Sequence, residues 1–193
     1  MIARTERGGN MDLIYNTARL TLRILHSTYA QDVCDFYKKN RDTFEAVEPP
    51  RIPNFYTIDF HRSNLSNEYN EFIQGKYIRF YLFEQKKPET IIGSVCFNAF
   101  RHGCFQSCVV GYKMDQDYCN LGYMTECLDY TIHQLIAKEY GIHRIEAMVL
   151  PNNYSSIQVL SKLGFENEGI TRDYAKLNGI WCDHLRYSIL VYQ

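Results

Sequence analysis

GYKMDQDYCNLGYMTECLDYTIHQLIAKEYGIHRIEAMVLPNNYSSIQVLSKLGF, residues 111–165, reads as strand, short loop, helix, strand and helix, and each boundary has a physical cause. The loop Cys119-Asn120-Leu121-Gly122-Tyr123-Met124 opens directly into the amphipathic run Thr125 to Tyr140. There Met124, Cys127, Leu128, Thr131, Leu135 and Ile136 recur at helical spacing, with Gly141 past the end. A loop that ends in a helix N-terminus presents unpaired backbone N–H groups and the positive end of a helix dipole, a ready site for a phosphate group. His143 to Leu150 reads as the next strand. Pro151-Asn152-Asn153-Tyr154-Ser155-Ser156 then leads a second helix, capped by Asn153, with Ile157, Leu160 and Leu163 inward and Gly164-Phe165 as a left-handed stop. The stretch predicts a unit that holds a phosphate-bearing molecule and works beside it.

Working outward, Arg19 to Leu25 alternates and reads as a first strand. Thr28-x-x-Gln31 has capping-box spacing, ahead of a helix with Ala30, Val33 and Tyr37 on one face, up to Asn40. Pro49, Pro50 and Pro53 make Glu45 to Phe55 a loop. Thr57 caps a second helix carrying Ile58, Leu65, Tyr69 and Phe72, ended by Gly75. Tyr77 to Glu84, Ile91 to Phe100 and Cys104 to Met114 read as strands, antiparallel if joined through the short turns at Lys86-Lys87-Pro88 and His102-Gly103. Asn178-Gly179 between alternating runs signals a two-residue hairpin. The predicted order is β-α-α-β-β-β-α-β-α-β-β, an α+β fold with a mostly antiparallel sheet and four helices. Residues 12–193 are expected to form one domain behind a flexible lead-in, residues 1–11.

The chain has 193 residues, enough for one domain with a proper core. Its 21 basic and 22 acidic residues leave a net charge of −1, so there is no electrostatic footprint for nucleic acid or an anionic membrane. No apolar run approaches the roughly 18 residues of a membrane span, and MIARTERGGN has no signal-peptide core. Seven cysteines, an odd number without a C-x-x-C, read as buried free thiols in a reducing compartment. His102, Cys104 and Cys108 are too poor a set for a zinc site, and no metal is expected. The cytoplasm is the expected location.

The order of elements and a series of motifs together resemble the GNAT acetyltransferase superfamily, and within it the RimJ/RimL group, on the RimJ side. The motifs are Gly111-Tyr112, Gly122-Tyr123-x-Thr125-Glu126, His143-Arg144-Ile145-Glu146-Ala147, Asn153-x-x-Ser156, Leu163-Gly164-Phe165 with Glu168-Gly169, and Asn178-Gly179-x-Trp181-x-Asp183-His184. Asn40-Arg41 and Glu48-Pro49-Pro50 add to the RimJ character. The likeness runs from about Arg19 to the C-terminus. It implies acetyl transfer from acetyl-CoA to a protein N-terminus, a ribosomal protein's N-terminal alanine first of all, by direct transfer in a ternary complex. A small-molecule amine acetyltransferase, for an antibiotic or polyamine, and a non-catalytic acyl-CoA-binding protein are the alternatives. Either a monomer or a homodimer fits.

The resemblance also implies site residues. The backbone of Tyr112, Lys113 and Met114 pairs with the pantetheine arm like an extra strand. The N–H groups of about Leu121 to Met124 take the pyrophosphate, within the loop Cys119, Asn120, Leu121, Gly122, Tyr123 and Met124. That loop departs from the superfamily pattern Gln/Arg-x-x-Gly-x-Gly/Ala, because Cys119 and Met124 stand at its ends, and Met124 is expected to crowd the phosphates. Asn153 combines helix cap and pantetheine contact. Ser156 protonates the departing thiolate, with Tyr154 a second candidate acid. A thiol beside a helix N-terminus is expected to have a lowered pKa, which makes Cys119 a candidate for oxidation or a mixed disulfide. The base is not obvious. Ala175 stands where some RimL-like enzymes carry Glu, and Val109-Val110 replaces an acid ahead of Gly-Tyr. Glu146 is the nearest strand carboxylate, with Asp173, Asp183 and His184 as further options. Glu45 and Glu48 read either as solvated charges or as attractors of a protonated N-terminus. A protein α-amine with a pKa of roughly 7.7–8.0 is about one-tenth neutral at pH 7, whereas lysine near 10.4 is neutral at about four parts in ten thousand. A weak base therefore favours an α-amine acceptor.

Overall fold

The computed structural model describes residues 3–7 and 10–192. Its strands are β1 (Ala3–Arg7), β2 (Asn10–Asn16), β3 (Leu20–Arg23), β4 (Ile78–Glu84), β5 (Lys87–Arg101), β6 (Ser107–Met114), β7 (Arg144–Val149), β8 (Glu166–Leu177) and β9 (Ile180–Leu190). They form one mixed sheet in the order β1-β2-β3-β4-β5-β6-β7-β9-β8. Only the β6–β7 pair is parallel among these neighbours. The helices are α1 (Ala30–Lys39), α2 (Arg41–Glu45), α3 (Ile58–Ile73), α4 (Tyr123–Tyr130), α5 (Ala137–Tyr140) and α6 (Tyr154–Lys162). A π-helical segment, Thr131–Ile136, joins α4 to α5, so the run expected from Thr125 begins at Tyr123 and widens midway. There the Thr131 hydroxyl donates back to the Cys127 and Leu128 carbonyls, a bond that competes with the regular helical ladder.

The α+β class and the order of elements from β3 onward agree with the sequence reading. Three local expectations need correction. Two strands not anticipated from the sequence, β1 and β2, form an antiparallel pair at the edge of the sheet ahead of β3. Residues 1, 2, 8 and 9 lie outside the described residues. Edge pairing of this kind is backbone to backbone, so hydrophobic periodicity gives no sign of it. The capping box at Thr28 is also absent. A 3₁₀ turn, Ser27–Tyr29, precedes α1, the Thr28 hydroxyl meets His26 Nδ1 at 2.8 Å, and Gln31 bonds Asp35 instead. Finally, α2 follows α1 directly, adding a helix to the four expected.

The other punctuation acts as its chemistry dictates. Thr57 Oγ1 accepts the Phe60 N–H at 3.2 Å, and Asn153 Oδ1 accepts the Ser156 N–H at 3.2 Å. Asn178 and Gly179 have φ of +47° and +86°, and they close the β8–β9 hairpin. Both sheet faces are covered. Ile78, Phe80 and Leu82 pack with Met124, Cys127, Leu128 and Ile132 of the α4–α5 helix. Tyr81 and Phe83 pack with Val33, Tyr37 and Leu65 of α1 and α3. Each such buried side chain contributes about 1.5–3 kcal/mol.

The site is positioned by one break in this sheet. β5 and β6 stay paired to Gly93↔Met114, but β6 and β7 part after Val109↔Glu146, and β7 continues along β9. Residues 110–114 of β6 therefore have a backbone edge with no strand beside it. Because β6 and β7 are parallel, α4 and α6, the next long helices after each, both begin at this open end.

Candidate active site

A cavity of about 230 Å³ fills the opening. Its lining includes Val110 to Lys113 from β6, Ala147 to Leu150 from β7 and the turn beyond, Asn153 and Ser156, and also Glu48, Arg79, Cys96 and His184. Strand alternation sends successive β6 side chains to opposite faces. Tyr112 turns towards α6, and Lys113 turns towards α1 and α2, where its ammonium lies 5.1 Å from the Tyr37 ring and 5.3 Å from Phe44.

On the α6 face, the Tyr112 hydroxyl is 2.7 Å from Ser156 Oγ and 3.2 Å from the Ser156 carbonyl. A carbonyl can only accept, so when the Tyr112 proton goes there, Ser156 donates to Tyr112. Burial pushes the Tyr112 phenol up to about 12, with the Ser156 hydrogen bond pulling the other way, so it stays protonated at neutral pH. The serine hydroxyl is thus bonded to a side chain rather than spent on its own helix. Asn153 uses Oδ1 for the cap, which leaves its amide N–H₂ free to donate into the cavity it lines. Tyr154 is 72% exposed and does not line the cavity, which removes it as an acid.

On the other face, Lys113 donates to Glu48 Oε1, and Arg51 pairs with the same carboxylate. Burial pushes the Lys113 ammonium below its ordinary value. Glu48 is therefore a cavity group and not a solvated charge. Glu45 lies apart, bonded by the Tyr56 hydroxyl at 2.7 Å and the Arg41 Nε at 3.3 Å. Glu146 is also not brought to the cavity. It sits at the last position where β7 pairs with β6, held by Arg144 at 2.8 Å and Arg101 at 3.5 Å in an ion cluster outside the cavity lining. Asp173 and Asp183 are exposed and bond one another, backbone N–H to carboxylate, at 2.9 Å.

At the start of α4, Asn120 and Gly122 both take the left-handed conformation, with φ of +62° and +78°. Gly122 is the N-cap and no side chain caps the helix. The first helical bond runs from the Glu126 N–H to the Gly122 carbonyl at 3.0 Å, so the N–H groups of Tyr123, Met124 and Thr125 precede it. Cys119, Asn120, Leu121 and Gly122 are exposed. Met124 is not a crowding residue, because its side chain is buried in the core beneath the loop. The Cys119 thiol is not lowered either. Burial, then the Asp115 carboxylate, push it up, and Sγ points to the Asp115 carbonyl at 3.6 Å. Met114 closes the far end of β6 opposite Gly93, outside the cavity lining.

The sequence reading missed what holds this loop. Arg19, just ahead of β3, donates Nη1 to the Leu121 carbonyl at 2.9 Å and Nε to Glu126 at 2.6 Å, and stacks 4.6 Å from the Tyr123 ring centre. Burial raises the Glu126 carboxyl, but the bonds from Thr17 and Arg19 outweigh it and hold the group below its ordinary value. The partners are over 100 residues apart, so no spacing could reveal them. Arg79, Cys96 and the Tyr112 hydroxyl were missed for the same reason.

The opening thus brings together a freed β6 edge, the N-termini of α4 and α6, a left-handed loop and the Tyr112–Ser156 hydroxyl pair. The acetyltransferase (GNAT) domain family matches residues 19–166. The chain belongs to the GNAT acetyltransferases. It is 33% identical over 173 residues to the probable N-acetyltransferase YjcK of Bacillus subtilis (strain 168), covering 88% of this chain and 92% of that one. It is 34% identical over 171 residues to the [ribosomal protein uS5]-alanine N-acetyltransferase of Escherichia coli (strain K12), covering 88% and 86%. Among solved structures, a ribosomal-protein-S5-alanine acetyltransferase from Vibrio fischeri superposes with a TM-score of 0.86 at 27% identity, covering 93% of this chain and 97% of that one. This acetyltransferase is accordingly an acetyl-CoA-dependent N-acyltransferase of the RimJ/RimL-like kind. Among its described residues, no helix is long and apolar enough to cross a membrane.

Proposed function

We propose that the chain acetylates the α-amino group of a protein N-terminus, with a ribosomal protein's N-terminal alanine as the first candidate, by direct transfer in a ternary complex. The observation that carries this is the cleft itself. It has the Tyr112–Ser156 hydroxyl pair on one face and the Glu48–Lys113 pair on the other, so two reactants can enter from opposite sides. The Escherichia coli relative acts on a ribosomal-protein alanine, which supports a protein acceptor. A cytoplasmic setting is part of the reading, supported by seven free cysteines, Cys104 and Cys119 among them exposed.

In this reading the freed edge of Tyr112, Lys113 and Met114 pairs with the pantetheine arm. The N–H groups of Leu121 to Met124 receive the pyrophosphate. Acetyl-CoA supplies the thioester, and the protein aligns it, excludes water and handles protons. Asn153 orients the arm, and Ser156 gives its hydroxyl proton to the departing thiolate with Tyr112 behind it. Alignment on this scaffold supplies much of the rate.

Intact mass spectrometry with acetyl-CoA tests the acceptor. Acetylation at the α-amine of peptides starting in alanine is expected. Transfer to free polyamines or antibiotics alone overturns the protein acceptor, and CoA binding without any transfer overturns the enzyme reading. Ser156→Ala is expected to lower kcat by about 10²-fold with CoA affinity unchanged; an unchanged kcat removes Ser156 as the acid.

A further inference from the structure

The cleft has hydroxyls for the thiolate, and the carboxylate in its lining, Glu48, is neutralised by two cations, accepting a hydrogen bond from Lys113 and forming an ion pair with Arg51. Glu146 lies outside, as do Asp173 and Asp183. We propose that His184 is the general base that takes the proton from the acceptor amine.

Its placement follows from the strand register. Leu185 and Tyr187 pair with Val149 and Ala147 and pack towards α4 and α6. Alternation then turns His184 to the other face, the one that carries Lys113 and Glu48. The imidazole is 7% exposed and lines the cavity. Its Nδ1 lies 3.1 Å from the Cys182 carbonyl. Because a carbonyl only accepts, Nδ1 carries the hydrogen, which in the neutral tautomer leaves Nε2 as the acceptor. Nε2 has no hydrogen-bond partner among the described residues. The Tyr174 ring packs against the imidazole at 5.0 Å and limits its rotation. A base oriented by a second group is the arrangement proton abstraction needs.

The proton balance closes. Nε2 takes one proton from the α-ammonium and passes it to water. The C–N bond forms as the C–S bond breaks, and Ser156 gives its proton to the thiolate. The second amine proton leaves the adduct nitrogen and restores the serine hydroxyl through water. The titratable and charged groups lining the cavity with His184 are Glu48, Arg79, Cys96, Lys113 and Tyr112, and Tyr174 on β8 packs against its ring. Arg186, two residues along β9, reaches the Thr171 hydroxyl opposite His184.

This inference rests on direct transfer in the cleft, and its test separates the two. His184→Gln and His184→Asn are assayed with an alanine-starting peptide and with spermidine as amine probes. The expected result is a loss of roughly 10²–10³-fold in kcat, with CoA affinity and Tm unchanged and activity partly restored by added imidazole. If only spermidine is acetylated by the native enzyme, the protein-acceptor reading fails while His184 is still tested. Variants within about threefold of the native kcat overturn the base, as does a loss that imidazole does not relieve. Long-range ¹⁵N NMR of His184 in the CoA complex gives a readout free of any acceptor. The Nδ1–H tautomer is expected above the imidazole titration, and the Nε2–H tautomer overturns the proposal.

Discussion

The face of the cleft that carries Tyr112, Asn153 and Ser156 comes from one continuous stretch, whereas the opposite face gathers Glu48, Arg79, Cys96 and His184 from four separate segments. The first face is local. Its loop, caps and helix starts follow from neighbours in the chain, and they had to, because backbone N–H groups at a helix N-terminus are set by the turn that precedes it. The second face is charged and depends on long-range pairing. Under the proposed function, thioester binding is a property of the β6-to-α6 unit, and acceptor choice is a property of how α1, α2 and the final hairpin dock around it.

Four measurements would break or sharpen this contrast. The largest effect is expected from Met124→Ala. Removing a core side chain of this size costs about 2–5 kcal/mol of stability, while CoA affinity should stay within about twofold, since the side chain faces away from the loop. A large loss of CoA affinity in a folded variant would return Met124 to the phosphate site. Next, Gly122→Asp forces a side chain and a negative charge onto a residue at φ +78°. Isothermal titration should show CoA Kd rising by about 10²-fold, roughly 2.7 kcal/mol; an unchanged Kd would mean the pyrophosphate does not bind here.

Arg19→Met is smaller. It leaves the Leu121 carbonyl and Glu126 without their guanidinium. CoA Kd should rise roughly tenfold, with kcat at saturation unchanged. A change in kcat alone would mean the loop's support reaches the second face.

The smallest effect concerns pH. The Arg144 guanidinium, then the Ser188 hydroxyl, pull Glu168 down from 4.5 to about 2. A carboxyl with a depressed folded pKa contributes stability that is present above 4.5 and lost as pH falls towards 2. Arg144→Met should therefore move the acid-unfolding midpoint upward by roughly half a pH unit, followed by circular dichroism, without touching CoA affinity at pH 7. An unchanged midpoint would show that this cluster does not tie β7 to the final hairpin.

The first face was largely legible beforehand. Asn153 as cap, Gly122 as turn residue, Gly164 as stop and the Asn178-Gly179 hairpin each signal a backbone conformation through their own chemistry. Misreadings arose where a side chain's direction mattered. Met124 and Cys119 were placed in the loop by sequence, yet the helix turns Met124 into the core, and burial raises the Cys119 thiol that a helix dipole alone would lower.

The sequence by itself determined the α+β order from β3 onward apart from α2, the left-handed loop ahead of α4 and the family, because caps, turns and periodicity are short-range properties written in adjacent residues. Only the tertiary structure decided that β6 and β7 part after Val109 and Glu146, that Arg19 holds the loop, and that His184 and Glu48 enter the cleft while Glu146 does not. Those outcomes depend on which strands pair and where pairing stops, and a one-residue change in register sends every side chain to the other face.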